Sequence, residues 1–192
     1  MKKIFLIFML AIFCVGMSAQ KKPISFYIGV GGTYASPSMG GITPTAGVVF
    51  HNHELQLSYT LGLSKSDPVH WYDNAGLWLS TTTYQQRSFA VQYGYRFGLK
   101  HGIFITPQVG YSLKMLSASL QDGTGKYGDK AKASCLSIGA KFQYSPVKHL
   151  VIFLSPEYRL AVSQDTYYKH TADISNFSAS GFAVSAGLMF CF

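Results

Sequence analysis

The chain has 192 residues, of which 48% are hydrophobic, 15% aromatic and only 12% charged. Soluble domains usually carry about 25% charged residues, so this composition speaks against an ordinary soluble domain. The formal net charge is +8, but no basic stripe with interleaved aromatics occurs, which argues against a nucleic-acid partner.

Lys2 and Lys3 open the chain, an apolar run follows from Ile4 to Val15, and small residues stand at Gly16, Ser18 and Ala19. That order predicts a secretory signal peptide over residues 1–19, too short to span a bilayer as a helix. Bulky Phe13 before Cys14 speaks against a lipoprotein site. Residues 20–192 are expected to form one domain. They contain no second long apolar run, so no transmembrane helix is expected.

What they contain instead is alternation with period two, the mark of strands with one apolar face. The first predicted strand is Ile24–Tyr34, with Ile24, Phe26, Ile28 and Val30 on one face. The second is Thr43–Phe50, with Ala46, Val48 and Phe50. The third is His53–Ser64, with Leu55, Leu57, Tyr59, Leu61 and Leu63. The fourth is Tyr84–Leu99, with Phe89, Val91, Tyr93, Tyr95 and Phe97. The fifth is Ile103–Leu116, with Ile103, Ile105, Val109, Tyr111, Leu113 and Met115. The sixth is Ser134–Tyr144, with Leu136, Ile138, Ala140, Phe142 and Tyr144. The seventh is Leu150–Val162, with Ile152, Leu154, Tyr158, Leu160 and Val162. The eighth is Phe182–Phe192, with Phe182, Val184, Ala186, Leu188, Phe190 and Phe192. Such a length is close to the ~9–11 residues that cross a bilayer as a tilted strand.

The connections alternate in length. His51-Asn52, Lys100–Gly102 and Ser145–His149 are short, whereas Ala35–Ile42, Lys65–Thr83, Ser117–Ala133 and Ser163–Phe177 are long. Short turns on one side and long loops on the other are the pattern of an outer-membrane barrel, with the short turns periplasmic. The expectation is therefore an all-β fold, an eight-stranded antiparallel up-and-down transmembrane β-barrel with both termini periplasmic. Its partners are outer-membrane lipids, and it is expected to be a monomer.

Glycines such as Gly29, Gly47, Gly94, Gly110, Gly139 and Gly187 fall on the polar face, where they make room in a narrow lumen. Pro107 and Pro156 sit inside strands in matching contexts, and each is expected to mark a local bulge with the proline facing lipid. Cys135 and Cys191 map to opposite ends of the barrel, beyond the ~7 Å a disulfide allows, so both are expected to be free.

The lumenal face carries Glu54, Arg96, Lys114, Lys141, Glu157 and Arg159, with Gln56, Gln92, Gln108 and Gln143. Charges held away from water must pair or stay hydrated. Glu54 is expected to reach Arg96 on the adjacent strand, and Glu157 to reach Lys141 or Arg96. Such a network serves as a polar plug or, alternatively, as a gate for a small conductance. In the long loops Lys65, Lys126, Lys130, Lys132, Lys169 and nearby Arg87 balance Asp67, Asp73, Asp122, Asp129, Asp165 and Asp173, and Lys21, Lys22, Lys100 and Lys148 lie on the short-turn side.

No catalytic residue, cofactor or metal is expected. His51, His53, His101 and His149 lie in or beside short turns, while His70 and His170 lie in long loops and not at strand ends. Asp122–Asp129 lacks the setting and residue order of a phosphate loop. Trp71, Tyr72, Trp78, Tyr167 and Tyr168 in the long loops leave open a role in ligand binding or adhesion.

With these features the chain resembles the small eight-stranded outer-membrane β-barrels of Gram-negative bacteria, the porin-like group that includes the OmpA membrane domain, OmpX and OmpW. In that family a terminal aromatic, with apolar residues at alternate upstream positions, is read by the barrel assembly machinery. The resemblance implies this role for Phe182, Val184, Leu188, Phe190 and Phe192. It implies a structural or weakly conducting barrel. An adhesion or ligand-binding barrel acting through its loops is an alternative, and a lipid-modifying enzyme another. The lipid A deacylase and palmitoyltransferase barrels are not matched in their His/Ser motifs.

Overall fold

A strand lying in hydrocarbon must satisfy the N–H and C=O groups on both its edges within the protein. The chain meets this demand by closure. The computed structural model describes residues 24–35, 39–73, 76–121, 126–164 and 179–192, so the expected signal peptide, residues 1–19, lies outside the described residues. Eight staves run antiparallel: β1 (Ser25–Ala35), β2 (Met39–Phe50), β3 (His53–Gly62, continued by Lys65–Asp73) and β4 (Gly76–Tyr95, continued by Phe97–Gly98). They are followed by β5 (Ile103–Gln121), β6 (Lys126–Val147), β7 (Leu150–Gln164) and β8 (Gly181–Cys191).

Each stave pairs with the next, and β8 returns to β1 through a ladder from Tyr27↔Cys191 to Ala35↔Ala183. The last residue joins this seam, since the Phe192 N–H donates to the Phe26 carbonyl at 2.9 Å. The result is a closed all-antiparallel barrel, as the alternation predicts.

The apolar faces point outward. Ile28, Leu57, Phe89, Val109, Ile138, Leu160 and Leu188 are all exposed, and Phe192 is 64% exposed. On β5 the outward apolar run extends from Ile103 to Met115. A strand rising ~3.3 Å per residue at a tilt of ~45° climbs roughly 28 Å over that span, about the height of a bilayer's apolar band.

Two expectations are corrected. The long connections are shorter than the sequence suggests, because the ladders continue above the apolar band. Lys65–Asp73 pairs with Gly76–Tyr84, and Ser117–Gln121 pairs with Lys126–Lys130. Ala35 and Met39–Ile42 likewise belong to β1 and β2. The apolar alternation stops where lipid stops, whereas backbone pairing does not. Stretches such as Thr81-Thr82-Thr83 favour strands through their β-branched side chains without an apolar signal.

The second correction concerns the prolines. Pro107 and Pro156 do lie on the outward parity of their strands, but neither makes a bulge. Between β4 and β5 the ladder skips Tyr95 and Arg96, opposite Pro107 and Thr106, and resumes in the same register. Between β6 and β7 it skips Ala140 and Lys141, opposite Pro156 and Ser155, again without a shift. Pro44 does the same between β2 and β3. A missing N–H removes a ladder bond, and here nothing is inserted to compensate. Each short-turn hairpin thus carries one proline gap. The register shifts of β6–β7 fall elsewhere, at Ser134/Cys135 and Tyr144/Val147.

Glycine on the inner face is a matter of space. A Cβ on Gly47 would collide with the Tyr27 ring and hydroxyl and lie 2.6 Å from the Leu55 carbonyl oxygen. Gly32 faces outward, and a Cβ there meets nothing within 4 Å. Gly47→Ala should therefore lower stability by roughly 1–3 kcal/mol, while Gly32→Ala should be close to neutral. Urea unfolding in micelles, followed by tryptophan fluorescence, checks the contrast.

Candidate functional site

The inward parity of β3 to β7 brings the polar side chains into one bore. Glu54 and Gln56 come from β3, Gln92 from β4, Thr106 and Gln108 from β5, Lys141 and Gln143 from β6, and Glu157 and Arg159 from β7. All are buried. Across from the lower group, β1, β2, β7 and β8 supply an apolar wall of Tyr27, Val49, Val151, Phe153 and Met189. The lumen near the short turns is therefore half apolar and half charged, with Tyr27 as the link.

In the lower layer Lys141 Nζ pairs with Glu54 Oε1 and donates to Gln56 Oε1. The Tyr27 hydroxyl donates to Glu54 Oε1 at 2.7 Å. Thr106 Oγ1 donates to Glu54 Oε2 at 3.4 Å. Glu54 is 2% and Lys141 1% exposed, so each is a charge that only its partners solvate.

Gln56 and Gln92 connect this layer to the next. Gln56 Nε2 donates to Gln92 Oε1 at 3.1 Å, and Gln92 Nε2 donates to Glu157 Oε2 at 2.6 Å. Arg159 Nε donates to Glu157 Oε1 at 2.7 Å, and its Nη2 pairs with the same oxygen. Above this lies a hydroxyl ladder. Thr33 Oγ1 is 2.6 Å from Thr43 Oγ1 and 2.7 Å from Ser185 Oγ, and Thr43 Oγ1 is 3.0 Å from Thr60 Oγ1. A cavity of about 20 Å³ lies between, lined by Thr45, Gln56, Gln92, Phe153 and Glu157 among others. That suits about one water, and the buried Thr45 hydroxyl, with no protein partner, faces it.

The expected charge network is thus partly regrouped. Glu54 pairs with Lys141 and not with Arg96. Arg96 is half-buried, donates from Nε to Gln143 Oε1 at 2.9 Å and lies 4.3 Å over the Phe104 ring. Glu157 pairs with Arg159, two residues along the same strand, and not with Lys141 or Arg96. Lys114 stands apart, donating to the Ala179 carbonyl at 2.6 Å. For Glu54 the reason is the stagger of a tilted barrel: neighbours on adjacent strands differ in height, so it meets Lys141 across the bore. Tyr27 and the hydroxyl ladder were not among the expected site residues. Their signal was parity alone, since Tyr27 and Thr33 alternate with Phe26, Ile28 and Tyr34.

Cys135 is buried, Cys191 is half-buried, and both are free thiols. At the short-turn rim, His53 Nδ1 lies 2.6 Å from the Tyr93 hydroxyl, and His53 stacks with Phe50 and Tyr93. His149 stacks on Phe190. These histidines belong to an aromatic girdle. At the other mouth the backbone register sets Trp71 opposite Trp78. Tyr167, Tyr168 and His170 lie outside the described residues.

No model of a known protein family matches the sequence, and no curated protein matches it. Solved structures do. A major outer membrane protein from Thermus thermophilus superposes with a TM-score of 0.61 at 12% identity, covering 89% of this chain and 100% of that one. This chain has the fold of the small outer-membrane barrels. Ail, the attachment invasion locus protein of Yersinia pestis, in complex with the heparin analogue sucrose octasulfate, gives a TM-score of 0.55 at 14% identity over 88% and 97% of the two chains. The outer membrane protein OprG from Pseudomonas aeruginosa gives 0.50 at 12% identity over 89% and 97%. At such identities the likeness concerns the fold.

Removing one partner of a buried pair leaves the other charge unsolvated, which costs about 3–5 kcal/mol. Glu54→Gln and Lys141→Met should each destabilise the barrel by that order. The double variant should recover a large part of the loss. A double-mutant cycle from urea unfolding in micelles reads the coupling.

Proposed function

We propose that the protein is an integral outer-membrane barrel with a structural role, its lumen shut by the two ion-paired layers. In this reading the short turns and both termini face the periplasm, and the extended hairpins face outward. The observation that carries it is the band of outward apolar side chains around a closed wall, roughly 28 Å tall by the strand geometry above. No soluble fold leaves so many large apolar side chains in water. The likeness to solved outer-membrane proteins supports the location. Lys100 and Lys148 at the short-turn rim suit anionic headgroups of the periplasmic leaflet.

The filled bore supports a plug over a gate. Glu54, Lys141, Glu157 and Arg159 are each bonded to at least one further polar group or to one another, and the cavity between the layers is about 20 Å³. The protein is read as a non-enzyme, because His53 and His149 serve the girdle. The terminal strand is read as the segment recognised by the assembly machinery, with Phe182, Val184, Leu188, Phe190 and Phe192 on its outward face. A second reading, adhesion or ligand binding at the outer mouth, draws support from the hairpin Lys65–Asp73/Gly76–Tyr84 that rises above the apolar band.

Purified barrel in planar bilayers should show no resolved channel events in molar salt. Steady openings would favour the gate and contradict the plug. Phe192→Ser should lower the amount of heat-modifiable barrel in the outer membrane several-fold. An unchanged amount would contradict its role in assembly.

A further inference from the structure

Strand pairing sorts charges that look balanced in the sequence. Arg87 on β4 lies opposite Met115 on β5, and Met115 lies opposite Lys132 on β6. One step higher, Gln85, Ser117 and Lys130 stand in the same order. Arg87, Lys130 and Lys132 have the outward parity of Phe89 and Leu136 and are exposed. Two interstrand spacings separate Arg87 from Lys132, about 10 Å, and one pleat separates Lys132 from Lys130, about 7 Å. The three cations therefore bracket Met115 and Ser117 on the outer wall.

Their height is the second observation. Directly below them on the same three strands lie Phe89, Leu113 and then Val91, Tyr111 and Leu136, the upper apolar band. The cations stand where hydrocarbon gives way to headgroups. No ion pair among the described residues engages any of the three; Arg87 reaches Gln85 Oε1 at 3.4 Å. Gln85 and Ser117 add polar groups beside the cations, while Met115 offers apolar contact below.

We propose that Arg87, Lys130 and Lys132, with Gln85 and Ser117, bind the phosphate-bearing headgroup of a lipid in the outer leaflet, its acyl chains lying along Leu113 and Tyr111. Fork-shaped guanidinium and two ammonium groups suit a phosphate approached from the side, and the polar neighbours suit sugar hydroxyls. The leaflet rests on the orientation proposed above; the binding itself does not, so the two fail separately.

The test is native mass spectrometry of the full barrel released from mixed micelles containing phosphatidylcholine with either diphosphoryl lipid A or its dephosphorylated form. The wild type should retain the diphosphoryl glycolipid in preference to both others, by roughly fivefold per engaged charge. The triple variant R87Q/K130Q/K132Q should lose that preference, and K130R/K132R, which keeps the charges in place, should keep it. Equal retention of the two glycolipids, or an unchanged triple variant, overturns the proposal. Displacement by inorganic phosphate at equal concentration would overturn the lipid as ligand. Should the triple variant fail to fold, K132Q and added salt replace it: both should lower retention, and salt-insensitive retention overturns the proposal. Labelling of Lys130→Cys on intact cells with an impermeant reagent reports the orientation independently.

Discussion

Closure of the sheet is the constraint on which the rest depends. In hydrocarbon an unpaired backbone group costs several kcal/mol, so no strand edge can be left open. The β1–β8 seam removes the last two edges, and it needs small inward residues to close tightly. Gly29, Gly31, Ala183 and Gly187 meet there, and a Cβ on Gly31 would lie 3.0 Å from the Phe153 ring. Tight closure in turn makes the bore narrow. A narrow bore leaves little room for water, so a charge that points into it must find a polar partner within the protein, as Glu54 does on another strand and Glu157 on its own.

The two ion-paired layers follow from that shortage of water. Taken alone, a buried pair is weak evidence for stability, since desolvation offsets most of the attraction. Its value lies in register. Shifting one strand by one residue turns its inward set toward lipid, and Glu54, Lys141 or Glu157 in hydrocarbon would be far worse than in their present pairs. The charges and the outward aromatics thus specify the same alignment from opposite faces. The proline gaps show how much slack the wall tolerates: Pro44, Pro107 and Pro156 each interrupt one ladder, yet the pairing on either side keeps its register.

Much of this was readable in the alternation. Strand number, pairing order, the outward set and the free cysteines all follow from period two and connection length. Three things were not. The hairpins above the membrane were hidden because Ser and Thr carry no apolar period, although the backbone pairs as well there as below. The ion-pair partners were hidden because stagger, set by the tilt of the whole barrel, decides which inward residues share a level. The inner apolar wall was hidden because Val151 and Phe153 interleave with Ile152 and Leu154, so both faces of β7 read as apolar. Glu157 and Arg159 share the inward parity of β7, but their mutual pairing depends on two side chains bending toward each other on one strand.

The central claim is a closed barrel crossing a bilayer with the stated faces in and out. It is tested most directly by nitroxide labels placed singly from Phe182 to Phe192 in the protein reconstituted into bilayers. Collision with lipid-soluble oxygen should alternate, high at Val184, Ala186, Leu188 and Phe190 and low at Ala183, Ser185, Gly187 and Met189. A water-soluble relaxation agent should reach none of the central outward positions. Access of that agent to Ala186 and Leu188, or loss of the alternation, would contradict the account.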